Sequence, residues 1–255
     1  MTSAGVVNAQ PVAATWTGDG IATVALRDVA GKNALTPEFV EALIETLRRL
    51  AAWDGLKVVV LVGLPEVFSS GASRDTLDRL AAGELNPGEL LLPRAVLDVP
   101  VPTIAAMEGH AIGGGLALGL CADVVLIARE SRYGCGFMNL GFTPGLGTTR
   151  LLENVVSRAV AHEMLYGGEP LKGGHFEGRS GFNYILPRSQ VRPKALEVAQ
   201  RIAEKPRVAL VALKQVLATP KRVAFESSRA EEILMHRISF AQPDIAQLIG
   251  SQYGE

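Results

Sequence analysis

Two short glycine loops carry the residues best suited to chemistry: Ser70-Gly71-Ala72, inside VFSSGASRDTLDRL at 67–80, and Gly113-Gly114-Gly115, inside GHAIGGGLALGL at 109–120. Each follows an apolar run and precedes a helical pattern, so each can present backbone N–H groups near the positive end of a helix. Two such donors converging on one oxygen form an oxyanion hole, which stabilises charge developing on a carbonyl and often supplies the largest single catalytic contribution. Glycine triplets also occur wherever a tight turn admits no side chain, and by themselves they leave both readings open. Four histidines are the candidate proton carriers. His110 stands at a strand end, where its ring can simply satisfy backbone groups. His162 lies in a helix and His175 in a polar loop, where surface roles are the default. His236, within EEILMHRISFAQPDIA, sits on an otherwise apolar face near Ile233, Met235 and Phe240, which on spacing alone suits a core or interface histidine.

The elements that position these groups read as an α/β core followed by helices. Residues 20–28 (GIATVALRD) alternate as an antiparallel strand would. A helix follows the turn VAGKNALT: Thr36 is its N-cap, Pro37 its first residue, Glu38 meets the dipole, and Phe39, Leu43, Leu47 and Leu50 recur at helical spacing. LKVVVLVG is a strand buried on both faces, VPTIAAMEGH a second and VVLIARE a third. Segment 81–94 (AAGELNPGELLLPR) reads as a loop or mobile helix over a site. Repeated strand, glycine turn and helix units argue for stacked ββα turns. From about residue 194 the sequence is helical, punctuated by Pro206, Pro220 and Pro243 into three or four helices, giving a core over 1–193 and an α-helical region over 194–255.

Composition narrows the class. The 255 residues are 48% hydrophobic with a formal net charge of −1, which suits one large core and offers no basic stripe for nucleic acid or an anionic membrane. No segment reaches the ~18 apolar residues of a membrane helix, and the N-terminus lacks a secretory pattern, so the expected location is the cytoplasm. Cys121 and Cys135 have neither CxxC spacing nor a histidine cluster, and read as buried free thiols without disulfide or metal roles.

FSSGAS, then GHAIGGG, then GFTPGLGTTRLL resemble, in order and spacing, the crotonase (enoyl-CoA hydratase/isomerase) superfamily from about residue 20 to the C-terminus. The resemblance implies a spiral of ββα turns and a helical C-terminal region that builds a homotrimer or a dimer of trimers. It also implies oxyanion donors at the amides of Ala72 and Gly114, with Gly71 and Gly113 against the substrate. The superfamily's hydratases use two glutamates at positions occupied here by Ala117 and Phe137. A methyl and a phenyl ring neither accept nor donate a proton, so glutamate-dependent hydration is not expected.

Decarboxylation of an acid vinylogous or β to a thioester needs no base: loss of CO2 pushes electrons into the carbonyl that the oxyanion hole holds. Together with MHRISFAQPDIA, the motifs are most similar to the decarboxylating homologues of polyketide β-branching cassettes. That likeness implies conversion of 3-methylglutaconyl to a 3-methylcrotonyl thioester carried on the phosphopantetheine of an acyl carrier protein, or on CoA, with no separate cofactor and no metal. His236 matches the subgroup's histidine near the substrate. The subgroup's lysine after the first oxyanion loop is here Leu80, and Arg74 and Arg79 are the nearby cations. They stand either as partners of the substrate carboxylate or phosphopantetheine phosphate, or as solvated surface arginines. Proton delivery then falls to His236 or water. An isomerase, a hydratase or a thioester hydrolase on the same fold, and an inactive scaffold in a synthase complex, are the alternatives.

Overall fold

The computed structural model describes residues 5–9, 11–85 and 91–253. A hairpin of β1 (Gly5–Ala9) and β2 (Val12–Trp16) opens the chain, and β3 (Ile21–Leu26) pairs antiparallel with β2 and parallel with β4 (Val58–Val62). Between them runs α1 (Pro37–Ala51), where Thr36 Oγ1 accepts the Phe39 N–H at 3.2 Å as its sequence demands.

Three ββα turns follow. In each, a longer strand enters one sheet, a short strand enters a second, and a helix or helical turn closes the unit. The first is β4, β5 (Val67–Ser69) and α2 (Arg74–Ala81); α3 (Leu92–Leu97) precedes the second, which is β6 (Thr103–Met107), β7 (His110–Ile112) and α4 (Gly114–Leu120). The third begins with β8 (Val124–Ala128) and β9 (Arg132–Gly134), passes a 3₁₀ turn at Met138–Leu140, and reaches α5 (Thr148–Leu151) and α6 (Arg158–Gly167). With β10 (Leu171–Lys172) and β11 (Tyr184–Leu186), the large sheet runs β1-β2-β3-β4-β6-β8-β11 and the small one β10-β9-β7-β5. Stacking successive turns makes β5 and β7 parallel neighbours, so the two glycine loops emerge side by side.

Both faces of the large sheet are covered, which explains the unbroken apolar runs. Val59 and Leu61 join the main core with Phe39 and Leu43 of α1. Val58, Val60 and Val62 face a second core with Val191, Ala195 and Ala199 of α7 (Arg188–Ala203). Residue 194, where the sequence turns helical, therefore lies inside a helix that starts at Arg188 and packs on the sheet.

α8 (Arg207–Phe240) and α9 (Ile245–Tyr253) complete the chain. Pro206 caps α8 and Pro243 separates it from α9, but Pro220 does not divide it, contrary to the sequence expectation. Proline costs one backbone bond and crowds the preceding turn. Side chains on both sides of it hold the helix to the core: Lys214 pairs with Asp123 at 2.6 Å, Lys221 donates to Leu120 O and Ala122 O, and Arg222 donates to Leu97 O at 2.9 Å. Among the described residues no helix is long and apolar enough to cross a membrane. Of segment 81–94, residues 86–90 lie outside the described part.

Candidate active site

The first glycine loop is held by a residue that sequence patterning missed. Asn33, fully buried at φ +53°, donates from Nδ2 to Leu26 O (3.1 Å) and Phe68 O (3.0 Å) and accepts the Asp28 N–H at 2.8 Å. Ser69 Oγ donates back to Asn33 O at 2.7 Å, and Leu35 N donates to Gly71 O at 2.7 Å. Gly71 follows at φ +87°, and a Cβ there would stand 2.7 Å from Ile112 O and 3.7 Å from Gly114 N. The first loop thus lies directly against the second. Gly113, at φ +53° and ψ −122°, donates to Gly134 O at 2.8 Å and turns the chain into α4. Only glycine holds such conformations without strain, so the tight-turn and oxyanion readings of these loops are compatible.

Ala72, Gly113 and Gly114 line one cavity of about 110 Å³ together with Leu35, Leu80, Phe137, Phe142, Leu146 and His236. Among the described residues, the polar side chains on its wall are Ser70, Thr76 and His236, and no carboxylate or amine is present. Phe137 stands edge-on to Phe142 at 6.0 Å, while Ala117 is fully buried in α4.

The far wall is α8. His236, 8% exposed, packs edge-on to Phe142 and Phe240, at 6.1 and 5.6 Å, and its Nε2 is 2.8 Å from Thr143 O. A carbonyl only accepts, so Nε2 carries the proton; Nδ1 is buried without a partner among the described residues. Burial pushes the ring's pKa below the ordinary histidine value, against the smaller upward pull of the Thr143 carbonyl. A Cβ on Gly145 would stand 2.9 Å from Nε2, so the turn TPG admits the ring only because residue 145 is glycine.

One helical turn earlier, Glu232 is buried on the same loop. Its Oε2 accepts the Gly147 N–H at 2.7 Å, and its Oε1 accepts the Thr149 N–H at 3.0 Å and the Thr149 hydroxyl at 2.6 Å. Burial raises its pKa and these three donors oppose the rise. Ser239 Oγ accepts the Thr143 N–H at 3.3 Å. Positions 232, 236 and 239 of α8 therefore clamp residues 143–149, which form the cavity wall.

Residues 17–252 match the family model described as enoyl-CoA hydratase/isomerase. The chain belongs to this family. Among its relatives is the bacillaene synthase decarboxylase of Bacillus subtilis (strain 168), 36% identical over 92% of this chain and 94% of that protein. The ECH2 decarboxylase domain of CurF from Lyngbya majuscula is 38% identical, covering 94% of this chain and 98% of that one at a TM-score of 0.88. A structure from a dehydratase/decarboxylase enzyme couple of polyketide β-branching is 35% identical, covering 95% and 96% at a TM-score of 0.91. Within the enoyl-CoA hydratase/isomerase family the chain thus resembles the β-branching decarboxylases, and the expected crotonase fold and decarboxylating lyase class agree with these relatives.

The structure brings together Gly71, Ala72, Gly113, Gly114, Phe137 and His236 on this family member's cavity, but not the two arginines. Thr76, Leu77 and Leu80 form the cavity-facing side of α2. Arg74 lies on its outer side, 3.6 Å from Asp78, and Arg79 is within 4.0 Å of Asp75 and 3.7 Å from Glu84. Helical periodicity puts residues 74 and 79 off the 76-77-80 face, so a carboxylate inside the cavity does not meet them. The other histidines are structural or superficial. His110 Nδ1 accepts the Arg132 N–H at 2.8 Å, His162 pairs with Glu153 at 3.1 Å, and His175 accepts from Arg179. Both cysteines are buried, and burial pushes each thiol up to about 12.

Proposed function

We propose that this protein decarboxylates a vinylogous acid thioester, 3-methylglutaconyl carried on an acyl carrier protein, to a 3-methylcrotonyl-type thioester. The observation that carries the reading is the cavity itself: backbone donors of two abutting glycine loops at one end, and, among the described residues, walls without a carboxylate base. In that site the thioester oxygen accepts from the Ala72 and Gly114 amides. The C–C bond to the substrate carboxylate breaks, its electron pair enters the conjugated system, and the amides stabilise the resulting dienolate oxygen. An apolar wall favours the step, because a carboxylate loses its hydration there and leaves as neutral CO2. A glutamate at position 117 or 137 would repel that carboxylate.

The similarity to the bacillaene synthase decarboxylase and to the β-branching couple supports a carrier-bound substrate over a free acid. Arg74 and Arg79, outside the cavity, remain suited to a phosphopantetheine phosphate rather than to the reacting carboxylate. The carrier protein is then the partner, and the chain self-associates as a trimer or a dimer of trimers. Supporting self-association, Leu213, Val216, Leu217, Leu234 and Ile238 leave an exposed apolar stripe on α8, opposite the face that buries Lys214, Glu232 and His236. The test is incubation with 3-methylglutaconyl carrier protein and with the CoA thioester, read by intact mass. Loss of one CO2 is expected, and its absence with both thioesters refutes the reading.

A further inference from the structure

We propose that the proton replacing CO2 reaches the substrate through two hydroxyls of α2, Ser73 and Thr76, with Thr76 the catalytic residue that protonates the carbanion. The inference rests on the decarboxylase reading above and concerns its second half, in which one proton must arrive on carbon.

Among the described residues, the cavity offers few sources. His236 is the obvious one, but its single proton is on Nε2 and committed to Thr143 O, its Nδ1 is buried and bare, and burial opposes charging of the ring. Ser70 sits in the first glycine loop, beside the donors that hold the thioester oxygen, and so flanks the carbonyl end of the substrate. Leu80 puts an isobutyl group on the wall where an amine would be needed. Thr76 remains. It lies on the cavity face of α2 and is 2% exposed. One helical turn, about 5.4 Å, separates it from the end of the glycine loop. That offset suits a group acting several bonds along the chain from the thioester carbon.

Thr76 is also connected outward. Ser73 caps α2, its Oγ accepting the Thr76 N–H at 3.1 Å and lying 2.8 Å from Thr76 Oγ1. A serine hydroxyl has one hydrogen and two lone pairs. With one lone pair used by the cap, Ser73 can donate its hydrogen to Thr76 Oγ1, and in that arrangement the Thr76 hydrogen is left for a group in the cavity. Ser73 is half-buried where Thr76 is buried, so the pair leads from the outside of α2 to the cavity wall. In the step, the Thr76 O–H bond breaks as the new C–H bond forms. Thr76 Oγ1 takes the Ser73 hydrogen, and Ser73 takes one from solvent water, leaving hydroxide that the released CO2 takes up as bicarbonate. Thr76 and Ser73 end as they began, and the net change is one solvent proton gained by the dienolate carbon.

The experiment follows decarboxylation of 3-methylglutaconyl carrier protein by the full chain in D2O, measuring turnover and the position and stereochemistry of the deuterium in the product. Thr76→Val keeps the side-chain shape and removes the hydroxyl, and Thr76→Ser returns it. Ser73→Asn keeps an N-cap acceptor but offers no hydroxyl hydrogen. T76V is expected to lower kcat about 10²-fold with little change in KM and to lose stereospecific deuteration, T76S to recover both, and S73N to slow turnover. A T76V enzyme with wild-type turnover and wild-type stereospecificity overturns the relay. If T76V does not fold, S73N decides: wild-type kinetics and an unchanged solvent isotope effect overturn it equally. A wild-type protein that releases no CO2 refutes the decarboxylase reading itself, and the relay with it.

Discussion

Replacing Glu232 by alanine tests whether α8 clamps the active-site wall. In the folded protein its carboxylate accepts from Gly147 N (2.7 Å), Thr149 N (3.0 Å) and Thr149 Oγ1 (2.6 Å). The Thr149 hydroxyl can turn to another acceptor, and its half-buried N–H can reach water, so these losses are small. Gly147 is buried, and its orphaned N–H carries the larger penalty of about 1–3 kcal/mol. Relief from burying a carboxylate offsets part of the loss. A net destabilisation of about 1–2 kcal/mol is expected, equivalent to a fall in Tm of roughly 2–8 °C for a chain this size. The pH dependence gives a second reading. Glu232 has a raised pKa in the folded state, so its contribution is fully present below the unfolded carboxylate value and is lost as pH rises through the folded one. Glu232→Gln should abolish that slope while destabilising less than Glu232→Ala. Urea unfolding at neutral and mildly acidic pH measures both. A loss below about 1 kcal/mol for Glu232→Ala, less than one unsatisfied buried donor, refutes the clamp.

Other perturbations address the cavity directly. Phe137→Glu places a carboxylate against the substrate's own and is expected to lower kcat/KM for decarboxylation at least tenfold, about 1.4 kcal/mol; unchanged kinetics would show that the wall's lack of charge is incidental. Gly145→Ala drives a methyl into the His236 ring, so turnover should fall, with the loss relieved by a second change of His236 to a smaller residue. His236 has a depressed pKa, so its contribution to stability is present above the ordinary histidine value near 6.5 and is lost as pH falls through the folded one. His236→Gln should flatten the fall in Tm between pH 7 and 5, and an unchanged profile would place the ring in contact with water. Leu80→Lys sets an amine among apolar side chains, where its pKa is lowered; it is expected to restore turnover to a Thr76→Val enzyme, and failure would show that position 80 does not reach the reacting carbon.

The glycine loops were legible because backbone constraint leaves a mark on sequence: the buried strands lead into Gly71, at φ +87°, and Gly113, whose φ of +53° with ψ of −122° is a combination that residues with a Cβ avoid. The same holds for α1, whose cap and period are local properties. What distance in sequence hides was not legible. Asn33 acts on Phe68, 35 residues away, and Glu232 on Gly147, 85 away, and neither belongs to a periodic pattern. Pro220 misled because a local rule predicts a break, while Lys214, Lys221 and Arg222 bind the helix to the core through contacts about 91 to 125 residues distant. Arg74 and Arg79 were conspicuous by charge but sit on the outer side of the helix whose other face, Thr76, Leu77 and Leu80, lines the cavity.

The division of labour in the site follows from that geometry. In the proposed reaction, charge on the thioester oxygen would be met by backbone amides of loops held by two sheets and by Asn33, groups that cost nothing to reorganise when the reaction occurs. The opposite wall is borrowed from α8, far along the chain, and is tied on by Glu232, His236 and Ser239. A hydratase must place acids and bases in this space; a decarboxylase needs it dry, with one proton entering after the bond is broken. His236 with its proton turned to Thr143, and apolar side chains at positions 117 and 137 in place of carboxylates, meet the second requirement and not the first. The residue that fits the family's histidine is therefore better understood as a positioning residue for the loop 143–149 than as an acid, and the pH profiles of His236→Gln and Thr76→Val separate the two: turnover that tracks a histidine titration in the T76V enzyme would return the proton to His236.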